Sequence, residues 1–144
     1  MKVLILGVDG MIGHKIAHYL EDHFDLTGTS RKKLSGLDIG LKKIRIINID
    51  LFYNDYKKLL KENNPDIIIN SAGITTRRGI DQRLDEARYI NNLLPISLAH
   101  WVKKHNKKLI HFSTDCVFSG KKGNYLDEDI PDAEDLYGKL KGMG

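Results

Sequence analysis

The sequence predicts an α/β fold built on a parallel sheet. Short apolar, β-branched runs alternate with longer segments of helical periodicity, and a glycine-spaced turn stands between the first run and the first helix. The 144 residues suffice for one ordinary domain around a single core. Strands alternating with helices imply a parallel sheet with right-handed crossovers.

Val3 to Leu6 is an apolar run closed by Gly7, too short for a helix and suited to a strand buried on both faces. From Met11 to Glu21, Ile12, Ile16 and Leu20 recur every four residues, predicting an amphipathic helix with these three on its buried face. A second strand is expected near Asp25 to Thr29. A polar loop leads through Gly36 and Gly40 to a third, β-branched strand at Ile44 to Ile49. Tyr53 to Glu62 reads as a helix stopped by Pro65, and Asp66 to Asn70, carrying Ile67, Ile68 and Ile69, as the fourth strand. The longest helix is expected from Gln82 to Lys104, with Leu84, Ala87, Leu94, Leu98 and Trp101 on its apolar face beside Asn91. Lys108 to Ser113 makes the fifth strand, and a loop rich in Gly, Asp and Pro leads to a last helix from Asp135. That helix runs only about two and a half turns before Gly144. Residues 1–144 are therefore expected to be the N-terminal part of a longer chain, cut off before a sixth strand.

Hydrophobic residues at 41% and charged residues at 29% exclude both a disordered chain and a membrane composition. The N-terminal apolar run falls short of the roughly 7 to 15 residues of a signal-peptide core, and a soluble, cytoplasmic protein is expected. Cys116 is the only cysteine, which excludes an internal disulfide and a multi-thiolate zinc site. The formal charge of +4 is spread over short groups such as Arg31-Lys32-Lys33 and Lys57-Lys58, which read as solvated faces rather than a nucleic-acid stripe. His14 and His18 have the spacing of a metal pair but lie opposite Ile12, Ile16 and Leu20, so an exposed polar face accounts for them and no metal is expected.

The turn Gly7-Val8-Asp9-Gly10-Met11-Ile12-Gly13 has a GxxGxxG spacing between strand and helix, the arrangement of a Rossmann-type dinucleotide site. Glycines there permit a tight turn and close backbone approach to a pyrophosphate, and the helix start offers free N–H groups and a positive dipole end. Gly7, Gly10, Met11, Ile12 and Gly13 are the candidate cofactor contacts. No acidic residue stands from Leu26 to Lys33 to bind a ribose 2′-OH. Ser30 and Arg31, followed by Lys32, would instead accept a 2′-phosphate, so NADP(H) is the preferred cofactor with NAD(H) possible. A solvated basic loop is the competing account. Asp50 and Leu51, after the third strand, stand where an adenine would be flanked, and Ala72 and Gly73, after the fourth, are small enough for the cofactor to lie against the backbone.

Tyr137 and Lys141 are four apart on the last helix and share a face, and Thr114 ends the fifth strand, where an open parallel sheet places its crevice. Ser113-Thr114-Asp115-Cys116-Val117-Phe118-Ser119-Gly120, then Tyr125, Glu128, Pro131 and Tyr137-Gly138-Lys139-Leu140-Lys141, resembles the signature of extended short-chain dehydrogenases/reductases. Among them the chain is most similar to dTDP-4-dehydrorhamnose reductases and related nucleotide-sugar reductases, from the glycine turn through Asn70-Ser71-Ala72-Gly73 and Asn91 to Pro95. The resemblance implies a Rossmann-type doubly wound sheet of five strands in the order 3-2-1-4-5, a C-terminal substrate-binding region absent from residues 1–144, which alone would be inactive, and Thr114, Tyr137 and Lys141 as the catalytic set of an NAD(P)-dependent oxidoreductase of carbohydrate biosynthesis. Tyr137 would protonate the developing alkoxide as general acid, Lys141 would lower the phenol pKa and bind the nicotinamide ribose, and Thr114 would hold the carbonyl oxygen. Two departures stand out: Cys116 replaces a Tyr common beside the substrate, and Leu140 replaces a small hydroxyl residue.

Asn91 falls on an apolar helix face and needs partners, while Pro95 has no N–H for the Asn91 carbonyl. Either a water held there links to Lys141 as a relay and places Asn91 at the cofactor site, or the helix kinks and the Asn is satisfied locally. Arg77 and Arg78 could reach a substrate diphosphate, although an exposed loop pair is the better account. The leading reading is reduction of a keto-sugar on a nucleotide-sugar. A nucleotide-sugar epimerase or dehydratase, and a non-catalytic NADP-binding regulatory subunit like that of methionine adenosyltransferase, are the alternatives. A homodimer is possible; neither nucleic acid nor membrane is expected as a partner.

Overall fold

The computed structural model describes residues 1–144 apart from the side chain of Arg78. The chain divides into two compact units, Met1–Ala72 with Leu98–His111, and Gly73–Ser97 with Phe112–Gly144.

The first unit holds one parallel sheet of five strands ordered β3-β2-β1-β4-β5, as expected, with β1 (Lys2–Leu6), β2 (Asp25–Ser30), β3 (Ile44–Asn48), β4 (Ile67–Asn70) and β5 (Lys108–His111). Val3 pairs with Leu26 on one side and Ile67 on the other, placing the most apolar run at the centre. Val3, Leu4, Ile5 and Leu6 are all buried, as a parallel strand covered on both faces requires. β5 ends at His111, two residues before the expected Ser113, because its partner β4 ends at Asn70 opposite His111 and the ladder has no further rung.

Helix α1 (Met11–Leu20) forms where expected but turns a different face inward. Gly13 and Ala17 are buried, whereas Ile12 is 42% exposed. The helix lies so close to the turn that a Cβ on Gly13 would sit 2.3 Å from the Gly7 carbonyl oxygen and 2.6 Å from Ser71 Oγ. At that distance small residues, not large apolar ones, make the interface. α2 (Tyr56–Asn63) starts three residues later than the expected Tyr53, because the Asp55 carboxylate caps it, accepting from Lys57 N and Lys58 N at 2.9 and 3.4 Å. It ends at Asn64 in the left-handed region (φ 42°), just before Pro65.

The long helix runs as α3 (Leu84–Arg88), a π-helical turn (Tyr89–Leu93) and α4 (Leu94–His105). Pro95 cannot donate to Asn91, and the ladder widens just before it: Leu94 N donates to Tyr89 O, five residues back. The buried face comprises Ala87, Ile90, Asn91, Leu94, Leu98 and Val102, while Leu84, expected inside, is exposed. In the second unit a 3-10 turn (Asp115–Val117) precedes the long loop to α5 (Leu136–Gly142). No helix among the described residues is long and apolar enough to cross a membrane.

Candidate active site

In the first unit the predicted cofactor residues cluster at the carboxyl ends of β1 to β4. Gly7 adopts φ +81°, and a Cβ there would crowd the Ala72 backbone at 3.2 Å, so this position needs glycine twice over. The turn is closed by Gly10 N donating to Gly7 O at 3.0 Å, and the first helical bond is His14 N to Gly10 O at 2.8 Å. The N–H groups of Met11, Ile12 and Gly13 precede that bond at the helix start, where an anion would meet them. Thr29, which the sequence reading passed over, pins the turn from β2: Gly7 N donates to its hydroxyl at 3.1 Å and Val8 N to its carbonyl at 2.9 Å. Gly28 lies under Val8, a Cβ there falling 2.7 Å from a Val8 methyl. The available signal was a glycine and a hydroxyl residue inside the strand that faces the turn.

Ser30 is buried and its hydroxyl accepts from Lys32 N at 3.0 Å. Asn48, also unanticipated, donates to Ser30 O and Arg31 O at 3.2 and 2.9 Å. Together they set the backbone course of the Arg31 loop, and Arg31 itself is exposed. Asp50 folds back on its own loop, its carboxylate accepting from Phe52 N at 2.9 Å, and Leu51 is buried. Asn70 is fully buried at the end of β4, bonding His111 Nδ1 at 3.1 Å and accepting from Ala72 N at 3.2 Å. His14, read as exposed, instead bonds the Ile39 carbonyl at 2.8 Å through Nε2, tying α1 to the loop before β3. A shallow cavity at the opposite, amino ends of the strands, lined by Lys2, Asp25, Arg45 and Glu62, contains none of the predicted residues.

In the second unit Asn91 is fully buried and makes a reciprocal pair with Ile74, donating to its carbonyl at 2.7 Å and accepting from its N–H at 2.9 Å. Local satisfaction thus accounts for its side chain, and Gly73 packs beside it. Arg77 is exposed; the side chain of Arg78 lies outside the described residues. The structure brings two of the three predicted catalytic side chains together: the Thr114 hydroxyl lies close enough to the Tyr137 phenol to favour its ionised form. Thr114 Oγ1 also contacts Asp115 Oδ1 at 3.2 Å and accepts from Cys116 N at 3.3 Å, which orients it. The Asp135 carboxylate caps α5 through Gly138 N at 2.9 Å. One turn after Tyr137, Lys141 is buried to 5% exposure and its ammonium donates to the Phe112 carbonyl at 2.6 Å.

Burial pushes the Tyr137 phenol up, with the neighbouring Cys116, Asp115 and Asp135 adding to the rise and the Thr114 hydroxyl opposing it. The expectation of a lowered phenol pKa is corrected by this structure. Burial also pushes the Lys141 ammonium down, to about 8. The largest cause of both shifts is the cost of charge away from water.

A parallel 3-2-1-4-5 sheet with a glycine turn after its first strand, and a Thr-Tyr-Lys set beyond its fifth, is the layout of extended short-chain dehydrogenases/reductases. Within that class the chain belongs to the RmlD substrate-binding domain family, whose profile matches residues 1–144. A dTDP-4-dehydrorhamnose reductase of Aggregatibacter actinomycetemcomitans is 30% identical over 144 residues, covering 99% of this chain and 45% of the relative. The β subunit of bovine methionine adenosyltransferase 2 is 26% identical, covering 99% of this chain and 41% of the relative. A crystal structure of a hypothetical dTDP-4-dehydrorhamnose reductase from Sulfolobus tokodaii superposes with a TM-score of 0.84 at 27% identity, covering all of this chain and 50% of that one. The chain spans about half the length of the relatives it matches.

Proposed function

We propose that this chain supplies the dinucleotide-binding and proton-donating part of an oxidoreductase that reduces the keto-sugar of a nucleotide-sugar, of the dTDP-4-dehydrorhamnose kind, with NADPH. The observation that carries the reading is the Tyr137 phenol beside the Thr114 hydroxyl, presented by a helix whose next turn buries Lys141. The relative that is a dTDP-4-dehydrorhamnose reductase supplies the substrate class.

The glycine turn fits a dinucleotide. Glycine at positions 7 and 13, where a Cβ would strike Ala72 and the Gly7 carbonyl, keeps the turn tight against the start of α1, and the N–H groups of Met11, Ile12 and Gly13 there would hold the pyrophosphate. Arg31 and Lys32, with no acid from Leu26 to Lys33, suit a 2′-phosphate, and Ala72 and Gly73 leave room for the cofactor against the backbone. A bound nicotinamide would supply the hydride. The Thr114 hydroxyl and Tyr137 phenol together bind the substrate carbonyl oxygen, and Tyr137 gives it a proton as charge develops. A phenol pushed above its usual range still carries that proton at neutral pH. Lys141, with a pKa of about 8, exchanges its proton near neutrality and can resupply Tyr137 between turnovers. The relatives' greater length supports a further proposal, that substrate contacts come from sequence outside residues 1–144.

The test is net cofactor consumption by the full-length protein with a dTDP-4-keto-sugar, compared for NADPH and NADH. Stoichiometric loss of NADPH supports the reading, and faster turnover with NADPH supports the preference. Interconversion of nucleotide-sugars without net consumption points to an epimerase or dehydratase. Binding without turnover points to a regulatory subunit, the second reading, favoured by the similarity to the methionine adenosyltransferase β subunit.

A further inference from the structure

We propose that Asp132 is a positioning residue for Tyr137. The inference rests on the reductase reading for what Tyr137 does, and on the geometry of residues 112–144 alone for what Asp132 does.

The Asp132 carboxylate closes the loop that separates the 3-10 turn from α5. Its Oδ1 accepts from Ser119 N at 2.7 Å, and its Oδ2 from Ser119 Oγ at 2.7 Å and Tyr125 Oη at 3.3 Å. Ser119 Oγ and Tyr125 Oη lie 3.2 Å apart, so the three groups form a closed ring, and the Tyr125 ring stacks on Phe118 at 4.3 Å. Donors from Ser119 and Tyr125 hold the carboxyl below its usual range, which keeps it an acceptor at neutral pH. The backbone at and just past this carboxylate is tied to the 3-10 turn: Asp132 N and Ala133 N both donate to Val117 O, at 3.1 and 3.0 Å. Cys116, Val117, Pro131 and Ala133 are thereby held as one floor.

α5 rests on that floor through residues that have no side chain. A Cβ on Gly138 would fall 2.1 Å from Cys116 O and 2.6 Å from Ala133 Cβ, and one on Gly142 would fall 3.0 Å from Pro131 Cβ. With no side chain between them, any displacement of the floor passes directly into the helix. Tyr137 is the residue before Gly138, and the hydroxyl it meets, on Thr114, lies two residues before Cys116. The floor therefore sets how Tyr137 meets Thr114, and Asp132 holds the floor. Neither carboxylate oxygen of Asp132 need touch substrate or cofactor for the effect.

The experiment uses the full-length protein and reads the Tyr137 phenol directly, as the difference in phenolate absorbance titration between each variant and the same variant carrying Tyr137→Phe. In Asp132→Ala the Tyr137 titration should move from its raised position toward the ordinary value of about 10, as the phenol regains water. Turnover should fall about tenfold to a hundredfold, the effect of an ångström-scale misplacement, with the cofactor KM within about twofold. Asp132→Asn should restore most of both, since its carbonyl still accepts from Ser119 N and the Ser119 hydroxyl can reverse its role. If Asp132→Ala does not fold, Ser119→Ala, which keeps the backbone bond, carries the same readout with a smaller shift. A Tyr137 titration that stays in place in the folded variants overturns the proposal, as does a fall in turnover matched by an equal rise in cofactor KM. A shifted phenol in a protein that reduces no keto-sugar upholds the positioning role and overturns the reductase reading.

Discussion

Tyr137 and Lys141 stand one helical turn apart and titrate in opposite directions because both are withdrawn from water: burial disfavours phenolate and ammonium alike. For Lys141 the consequence is a pH-dependent stability whose sign is unusual for a lysine. Its folded pKa, about 8, lies below its ordinary value of 10.5, so between these pH values the unfolded chain binds more protons. Stability from this residue therefore rises as pH increases through that window and is at its lowest below it. Denaturant melts of the wild type and Lys141→Met across the window should show this rise as a difference between the two; parallel curves would mean that the ammonium is not desolvated. A second expectation concerns Tyr137→Phe, which keeps the ring and removes only the transferable proton. Turnover should drop by about 10² to 10⁴, the usual contribution of a general acid, while NADPH affinity by fluorescence titration stays close to wild type. Undiminished reduction would remove Tyr137 from the mechanism.

At the scale of elements, close approach rather than apolar area positions the helices that matter. α1 meets the glycine turn through Gly13, and α5 meets its floor through Gly138, each at distances that no side chain would allow. Gly13→Ala sets two effects against each other. Alanine in a helix gains roughly 1 kcal/mol over glycine, but its Cβ would lie 2.3 Å from a backbone oxygen that cannot move aside without opening the turn. Overpacking of that kind costs about 1 to 3 kcal/mol, so the net effect should be destabilising and NADPH binding should weaken. Asp55→Ala, which uncaps α2, should cost about 1 kcal/mol and leave NADPH binding unchanged. Calorimetry paired with cofactor titration separates the two; equal binding losses would show that the turn has no special place in cofactor recognition.

At the scale of the whole molecule, the sheet and the Thr114–Tyr137–Lys141 set fall in different compact units, each with its own internal support. The first is built around β1 and carries the glycine turn; the second carries the floor and helix that present Tyr137. Since the relatives are about twice as long, residues 1–144 expressed alone should bind NADPH in a direct titration and show no turnover with a dTDP-4-keto-sugar. Turnover by residues 1–144 equal to that of the full-length protein would overturn the proposal that substrate contacts lie outside them.

Much of this protein could be read from neighbouring residues alone. The run Val3 to Leu6 declares a central strand because a parallel strand covered on both faces has no polar side to show. Pro95 announces a break in the helix ladder because a missing N–H is a local fact, and the π-helical turn lies just where the missing donor falls. The parallel sheet followed from the alternation of elements, and its strand order from the family resemblance. Tertiary structure alone decided what depends on residues far apart in the chain. Ile12, Ile16 and Leu20 have the right period for a buried face, yet Gly13 and Ala17 take it, because the separation between α1 and the turn is set by Gly7 and Ser71. Asn91 signalled a need for partners without naming Ile74, seventeen residues away. The pair Tyr137 and Lys141 suggested a cation easing a phenol, but water exclusion governs both pKa values, and how much water is excluded depends on packing that no periodicity in the sequence encodes.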